Sequence, residues 1–426
     1  MLENCKDDSK KALEERRMKV VVFVEYLPPR LGSDRRIFEL MKRLSHKHEI
    51  HFIVFPPVRI LLNKKQKNKD ENYLHLQKKT VTVNHEGIIG HFISIPHKLA
   101  VMWQHSFVTS YLLTSILVFL ETTKIFRKVK PEIVVLNYPS PYTGLLGFLE
   151  GKLWRKPVVL DFNDLIAQYT INLLNLKKNS FKTKLLILIQ HFIVKNSQTV
   201  IAPTQFIKKY TASSGVPEKK IVTIPNGVDT KKFDPHKYDI AKTKIRLGLS
   251  NEKMCFYCGR LDEWAGVNML LKICDIAKTR KLNTKFVLIG SGARKAVHEE
   301  NVIFLGEISH EKIPAILKTA DAILIPFPNN EVSHAASPLK LFEGMAMQKP
   351  IIAGKVSGIE EVVSDGKNGF LADPDNSEEW IKKLEMILDS ETLAAEIGQN
   401  ARRTVQKKFE WSLLAKQYEE ILNTYT

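Results

Sequence analysis

The residues best suited to chemistry lie in SHAASPLKLFEGMAMQKPII, residues 333–352. Ser337 carries a hydroxyl fit to cap a helix and Pro338 suits the first helical position, so a helix is predicted over 339–347. Such a helix opens with free N–H groups at the positive end of its dipole, a ready site for a diphosphate. Lys340 and Glu343 stand three apart and share a face. A cation near phosphates with a carboxylate just beyond suits a nucleotide sugar, because the cation offsets diphosphate charge and the carboxylate accepts hydrogen bonds from ribose hydroxyls. The same residues also read as a capped helix with a surface ion pair. The segment alone leaves both readings open.

Two loops share this character. Gly259 and Arg260 follow an apolar run; the glycine lets backbone approach a ligand and the arginine offers a bidentate fork for phosphate oxygens. Gly290-Ser291-Gly292 ends the next run, as a tight turn beneath a ligand or merely as a turn. Further on, Gly358 would let a loop run close beneath a sugar, and Asn368-Gly369 reads as a turn. No histidine or cysteine spacing of the zinc type occurs, so no metal is expected. Cys255 and Cys258 fall inside an apolar run and read as strand residues.

The elements that must position these residues are legible as an alternation of β-branched runs and longer amphipathic segments, the pattern of parallel sheets with crossover helices. Strands are predicted at 19–24, 49–54, 133–136, 157–160 and 199–202, then at 254–258, 285–289, 302–304, 322–325 and 350–353. Helices are predicted over 34–45 and 182–195, and from 411 to about 423. In such sheets ligands bind beyond the carboxyl ends of the strands, where 259–260, 290–292 and 337–340 all fall.

A chain of 426 residues exceeds what one core usually holds, so two domains are expected. Pro225-Asn226-Gly227 makes a sharp turn within the junction, 221–235. Four scattered cysteines indicate a reducing compartment, and the charged first 17 residues lack the apolar core of a signal peptide; a cytoplasmic location is expected. The apolar stretch 107–120 is too short for a membrane span of about 20 residues and reads as a buried helix.

The net charge of +18 bears on partners. Lys64, Lys65, Lys67, Lys69, Lys78 and Lys79 crowd one polar stretch. Arg30, Arg35, Arg36, Lys42 and Arg43 crowd an earlier one. They read as a solvated surface, or as attraction to an anionic membrane or a phosphate-bearing substrate. Nucleic acid ranks last, since no helix-turn-helix, zinc pattern or aromatic-interleaved basic stretch is present. A nicotinamide-dependent dehydrogenase would carry G-x-G-x-x-G after the first strand; the sequence there is EYLPPRLG.

The ordered series PNGVD, YCGRL, LIGSG, ADAILIP, SPLKLFEGMAMQKPII and SGIEEVVSDGKNGFL resembles the GT4-type retaining glycosyltransferases of the GT-B fold, in the form whose members carry SPLK. The likeness runs almost continuously over 225–374 and extends more loosely to PPRLGSDRR. It implies an α/β fold of two Rossmann-like domains whose parallel sheets face across a cleft. The boundaries are then a charged extension 1–17, an acceptor-side domain 18–222, a nucleotide-sugar domain 223–407 and a helix 408–426 crossing back to the first domain. It implies catalytic roles for Arg260 and Lys340 at the diphosphate and Glu343 at the ribose. Gly259, Gly290, Gly292, Ser337, Pro338, Leu339 and Gly358 would line the donor, with backbone from Ser337 to Lys340 cradling phosphate. Gly32, Ser33, Asp161 and Asp164 would lie on the acceptor side.

The activity implied is metal-independent, retaining transfer of a hexose-type sugar from a UDP- or GDP-sugar to a glycan or polyprenyl-phosphate-linked acceptor, with no cofactor. The departing β-phosphate would help deprotonate an acceptor attacking from the same face. Three positions depart from the family pattern. Ala265 replaces a lysine that commonly partners the arginine, Ala335 replaces the leading glutamate of the paired-glutamate motif, and Asn163 stands where many relatives have histidine. The first two raise the alternative of a catalytically inactive homologue that keeps the nucleotide-sugar site. The basic stretches point to peripheral binding at the cytoplasmic face of a membrane.

Overall fold

The computed structural model describes residues 17–29, 32–55, 79–96, 98–99, 107–173, 176–177, 179–248, 252–292 and 300–425. Arg30, Lys64, Lys65, Lys67, Lys69, Lys78 and the extension up to residue 16 lie outside them. The chain divides into two compact units. The first runs to Ile201 and takes in Thr211–Val222 and the end of the chain from Ala415; the second comprises Ala202–Tyr210 and Thr223–Leu414.

The first unit is built on β1 (Lys19–Val24), whose sequence KVVVFV is buried almost throughout, as a central parallel strand requires. On one side it pairs in parallel with β2 (Glu49–Val54), and beyond that lie β3 (Val81–His85) and β4 (Ile88–Phe92). On the other side come β5 (Ile133–Leu136), β6 (Val158–Asp161), β7 (Thr199–Ala202) and β8 (Ile221–Thr223). The antiparallel β3–β4 hairpin turns at Glu86 and Gly87, both at positive φ as a two-residue turn demands. The helices are α1 (Gly32–Leu44), α2 (Phe107–Val129), α3 (Thr143–Leu153), α4 (Ile166–Leu173), α5 (Phe181–Asn196) and α6 (Gln205–Ser213), the last shared by both units.

Two expectations fail in this unit. The stretch 107–120 is not a buried helix: it opens the longer α2, and Leu112, Leu113, Ile116 and Leu120 face outward. Nor do the basic residues around α1 make a free cationic face. Arg36 is fully buried against Asp161, Arg43 reaches Glu39 at 2.7 Å, and Lys42 pairs with Glu86. Charge counted along a sequence does not distinguish a side chain that snorkels to water from one held by a partner.

The second unit repeats the architecture. After α7 (Ile240–Leu247), β9 (Lys253–Cys258) occupies the centre of a wholly parallel six-stranded sheet. To one side lie β10 (Thr284–Ile289) and β11 (Val302–Gly306), to the other β12 (Ala322–Ile325), β13 (Ile351–Gly354) and β14 (Phe370–Ala372). Strand order therefore reverses between β9 and β12, which marks the crevice at their carboxyl ends as the default ligand site. Helices α8 (Val267–Thr279), α9 (Ile313–Lys318), α10 (Glu331–Ala335), α11 (Leu339–Ala346), α12 (Ser357–Glu360), α13 (Ser377–Asp389) and α14 (Glu391–Lys408) surround it. Apolar cores fill both sheet faces, one around Phe256, Phe342 and Met345, the other around Tyr257, Leu270 and Trp380. Cys255 and Cys258, three apart on β9, point to opposite faces and are both free. The closing α15 (Trp411–Asn423) follows.

Candidate donor site

The crevice at the switch point is assembled from the ends of β9, β10, β11 and β12 and the start of α11. Gly259 and Gly290 bring the first two strand ends together. Gly259 donates its N–H to Ile289 O at 2.9 Å, and a Cβ on Gly290, at φ 133°, would fall 1.9 Å from the Gly259 carbonyl oxygen. Gly292 lies against Leu261 backbone, and Gly358 against the Ala336 carbonyl. These four glycines hold loops in mutual contact; the backbone they shape is what a ligand would meet.

Gly259 has a second neighbour. A Cβ there would come within 2.7 Å of the Lys340 Nζ. Lys340 extends from the first turn of α11 and sets its ammonium over the rings of Tyr257 at 4.5 Å and Phe327 at 5.1 Å. Burial pushes it down to about 8, against the opposing fields of Cys258 and Glu343. Among the described residues it has no ion-pair partner, and cation–π contact compensates only part of the lost hydration. A half-buried cation without an ion-pair partner among the described residues could accept an incoming anion.

Glu343, one turn along α11, is buried and does not pair with Lys340. Its Oε1 lies 2.7 Å from His310 Nε2, and His310 Nδ1 lies 3.0 Å from Lys232 Nζ. An ammonium can only donate, so Nδ1 accepts and Nε2 carries the proton that goes to Glu343. Phe233 packs on the imidazole at 5.6 Å. The carboxylate is thus oriented by a histidine whose tautomer is fixed from behind. The surface Lys340–Glu343 pair left open by the sequence is absent.

The start of α11 is also set differently. Pro338 is the N-cap, without a side-chain cap bond, and Ser337 serves through its carbonyl, which accepts from Asn226 Nδ2 at 2.5 Å. Asn226 comes from the junction turn, so that turn holds the entry of the helix whose first N–H groups, from Leu339 and Lys340, face no preceding turn. Arg260 is more exposed, and Asp262 Oδ2 accepts from both its Nε, at 2.8 Å, and its Nη2, at 2.7 Å. Asp262 must share that arginine with any diphosphate.

His334 is a further residue that the sequence did not single out. Its Nδ1 accepts from Ser357 N at 3.1 Å and its Nε2 lies 2.8 Å from Asn329 Oδ1, so it ties α10 to the loop holding Gly358. A histidine preceding a strand-end loop by more than twenty residues carries no local signal of that contact. Ala265 and Ala335 are both buried, at 1% and 2% exposure, so neither position offers space for a solvated charge.

The acceptor-side candidates lie in the first unit. Gly32 is exposed and Ser33 half-buried, at the start of α1. Asp164 is exposed, whereas Asp161 is fully buried and accepts from Arg36 Nε at 2.9 and 3.2 Å. Burial pushes the Asp161 carboxyl up and Arg36 opposes the shift. Asn163 is buried and donates to the Asn137 carbonyl at 2.8 Å, while Asn137 Nδ2 donates to Asp34 at 3.0 Å.

Two Rossmann-like units with a basic, glycine-rich switch point in the second define a GT-B fold. Solved structures bear this out: sucrose-phosphate synthase from Thermosynechococcus elongatus matches with a TM-score of 0.71 at 17% identity, over 95% of this chain and 98% of that one. Anabaena HepE in complex with UDP-glucose matches at 0.69 and 18% identity, over 95% and 100%. The Glycosyltransferase Family 4 model matches residues 10–232, and the model for glycosyl transferases group 1 matches 239–404. The chain belongs to glycosyltransferase family 4. An uncharacterized glycosyltransferase of Methanocaldococcus jannaschii is 25% identical over 95% of this chain and 98% of its own length. The capsular polysaccharide biosynthesis glycosyltransferase CapM of Staphylococcus aureus is 24% identical over 71% and 79%.

Proposed function

We propose that this glycosyltransferase moves a hexose-type sugar, with retention and without a metal, from a UDP- or GDP-sugar to a glycan or polyprenyl-phosphate-linked acceptor at the cytoplasmic face of a membrane. The observation that carries the donor half is the ammonium of Lys340, half-buried over two rings at the start of α11 with no ion-pair partner among the described residues. The α11 N–H groups and Lys340 would hold the diphosphate, Arg260 would add a fork at its exposed side, and Glu343 would take the ribose hydroxyls. The UDP-glucose bound by HepE and the capsular polysaccharide role of CapM support a nucleotide-sugar donor and a glycan acceptor here.

In the step itself the bond from the anomeric carbon to the β-phosphate oxygen breaks and a bond from that carbon to the acceptor oxygen forms. The acceptor's proton passes to the departing phosphate, and the nucleoside diphosphate leaves. Charge builds on the β-phosphate as this happens, and donors fixed beforehand in a partly dry site stabilise it without reorganising. No protein base is required.

Thermal shift against UDP-, GDP- and ADP-sugars tests the donor, since a ligand at 100 to 1,000 times its Kd stabilises by roughly 3–4 kcal/mol. Turnover in EDTA and the anomeric configuration of the product test the rest. Ala265 and Ala335 keep a second reading in view, an inactive homologue that retains the nucleotide-sugar site, although members with SPLK often lack the glutamate that Ala335 replaces; donor binding without transfer to any glycan or lipid-linked acceptor would select it.

A further inference from the structure

Helices α2 and α5 of the first unit expose apolar stripes while burying polar side chains alongside core residues such as Val118, Phe126 and Ile193. On α2 the side chains turned to the interior include Ser110, Thr114 and Thr122, each fully buried, while Leu112, Ile116 (58% exposed) and Leu120 point outward at intervals of four. On α5 Thr183 and Gln190 are buried, whereas Phe181 (78% exposed), Leu185, Leu188 (65% exposed) and Phe192 lie outside on one stripe. Helix α3, which packs against both, adds Leu149 and Leu153. Most of the large apolar side chains exposed among the described residues sit on these three neighbouring helices. Water penalises such a surface, and contiguous apolar patches of this kind mark interaction sites.

Charge identifies the occupant. The three helices lead into β5, β6 and β7, which are mutually parallel, so they run in one direction and end along one edge. Arg127, Lys128, Lys152 and Lys195 are exposed at those ends, and Lys182 and Lys184 at the opposite end of α5. The three helices carry two carboxylates: Glu150 is buried against Thr122, Thr123 and Trp154, and Glu121 pairs with Lys124 at 2.6 Å. Apolar stripes bordered by unneutralised cations fit a surface that is anionic at its skin and hydrocarbon beneath. A second copy of the chain would bring the same positive rims together across a two-fold axis. No helix among the described residues is long and apolar enough to cross a membrane, so a bilayer would meet this face at its surface only.

We infer that the α2–α3–α5 face docks on an anionic bilayer, with its leucines and phenylalanines at the headgroup–acyl boundary and its lysines on lipid phosphates. This rests on the membrane location proposed above and names the surface responsible, which is not the lysine stretch 64–79. The test is co-sedimentation of the full chain with vesicles of phosphatidylcholine alone or mixed with phosphatidylglycerol, at low and high salt. Wild type should partition at least about tenfold more to the anionic vesicles at low salt, since each basic residue contributes roughly fivefold. Ile116→Glu/Leu188→Glu and, separately, Lys128→Glu/Lys195→Glu should each lose about tenfold or more, with an unchanged circular dichroism spectrum. Partitioning of both variants at the wild-type level overturns the inference. So does wild type that stays in solution, including as a dimer that Ile116→Glu/Leu188→Glu splits or in a complex with another protein. Vesicle binding that responds to the substitutions, in a protein showing no thermal shift with any nucleotide sugar, upholds this inference and removes the donor reading instead.

Discussion

Both units place a buried or half-buried cation near the carboxyl ends of parallel strands, and they treat it in opposite ways. In the first, Arg36 is sealed from solvent against Asp161, beside a buried network of Asn137, Asn163 and Asp34. In the second, Lys340 sits over Tyr257 and Phe327, and the carboxylate within reach of its helix is turned to His310. One cation is neutralised by its own protein and contributes to holding the unit together. The other has no ion-pair partner among the described residues, and the function proposed above assigns it to the donor diphosphate. On that proposal the two units differ in where the counter-charge resides, within the unit for Arg36 and in the bound donor for Lys340.

If that contrast holds, the largest effect is on folding. Asp161→Ala removes the buried carboxylate to which Arg36 Nε donates and should cost about 3–5 kcal/mol, read by denaturant unfolding. Lys340→Met should cost the free protein nothing, because a desolvated ammonium is replaced by an apolar chain of similar length. On donor binding the order reverses: Glu343→Ala and Arg260→Ala should each lose on the order of 1.5–3 kcal/mol of affinity with the fold intact, by calorimetry. Wild-type affinity in both would remove the assigned roles.

A pH series sharpens the comparison. Lys340 is charged below about 8, so donor affinity should be highest there and fall about tenfold per unit above it. Stability moves the other way. The folded proton is lost near 8 and the unfolded one near 10.5, so between those values the unfolded chain binds more protons and this group makes stability rise with pH. Both trends should vanish in Lys340→Met. The smallest effect belongs to His310→Ala, which frees Glu343 to rotate and should weaken donor binding by about 1 kcal/mol, partly restored in His310→Gln.

Much of this was legible in the sequence because parallel strands buried on both faces read as short β-branched runs, and their carboxyl ends are where loops must converge. The glycines and the Lys340–Glu343 spacing followed from that. What the sequence did not disclose has a common cause: it depends on partners distant in the chain. Arg36 looks like surface charge on α1 until Asp161, at the end of β6, is placed against it. His310 and His334 have no motif, since their partners lie 33 and 23 residues away. The outward leucines of α2 read as core because apolar composition signals burial without saying which face, and the buried serine and threonines on the same helix reveal the direction only in three dimensions. The β3–β4 hairpin is not among the predicted strands: VTVNH is largely exposed and polar, and lacks the buried β-branched run by which the central strands are read.

The claim on which the rest depends is that the unpartnered Lys340 at the start of α11 binds the donor diphosphate. Calorimetric titration of wild type and Lys340→Met at pH 7 with the nucleotide sugar giving the largest thermal shift tests it most directly. The account predicts a loss of at least about tenfold in affinity for Lys340→Met, with unfolding at or above the wild-type midpoint, as expected for a charge-assisted bond of 1.5–3 kcal/mol. Equal affinity in the two proteins, with both folded, would contradict it.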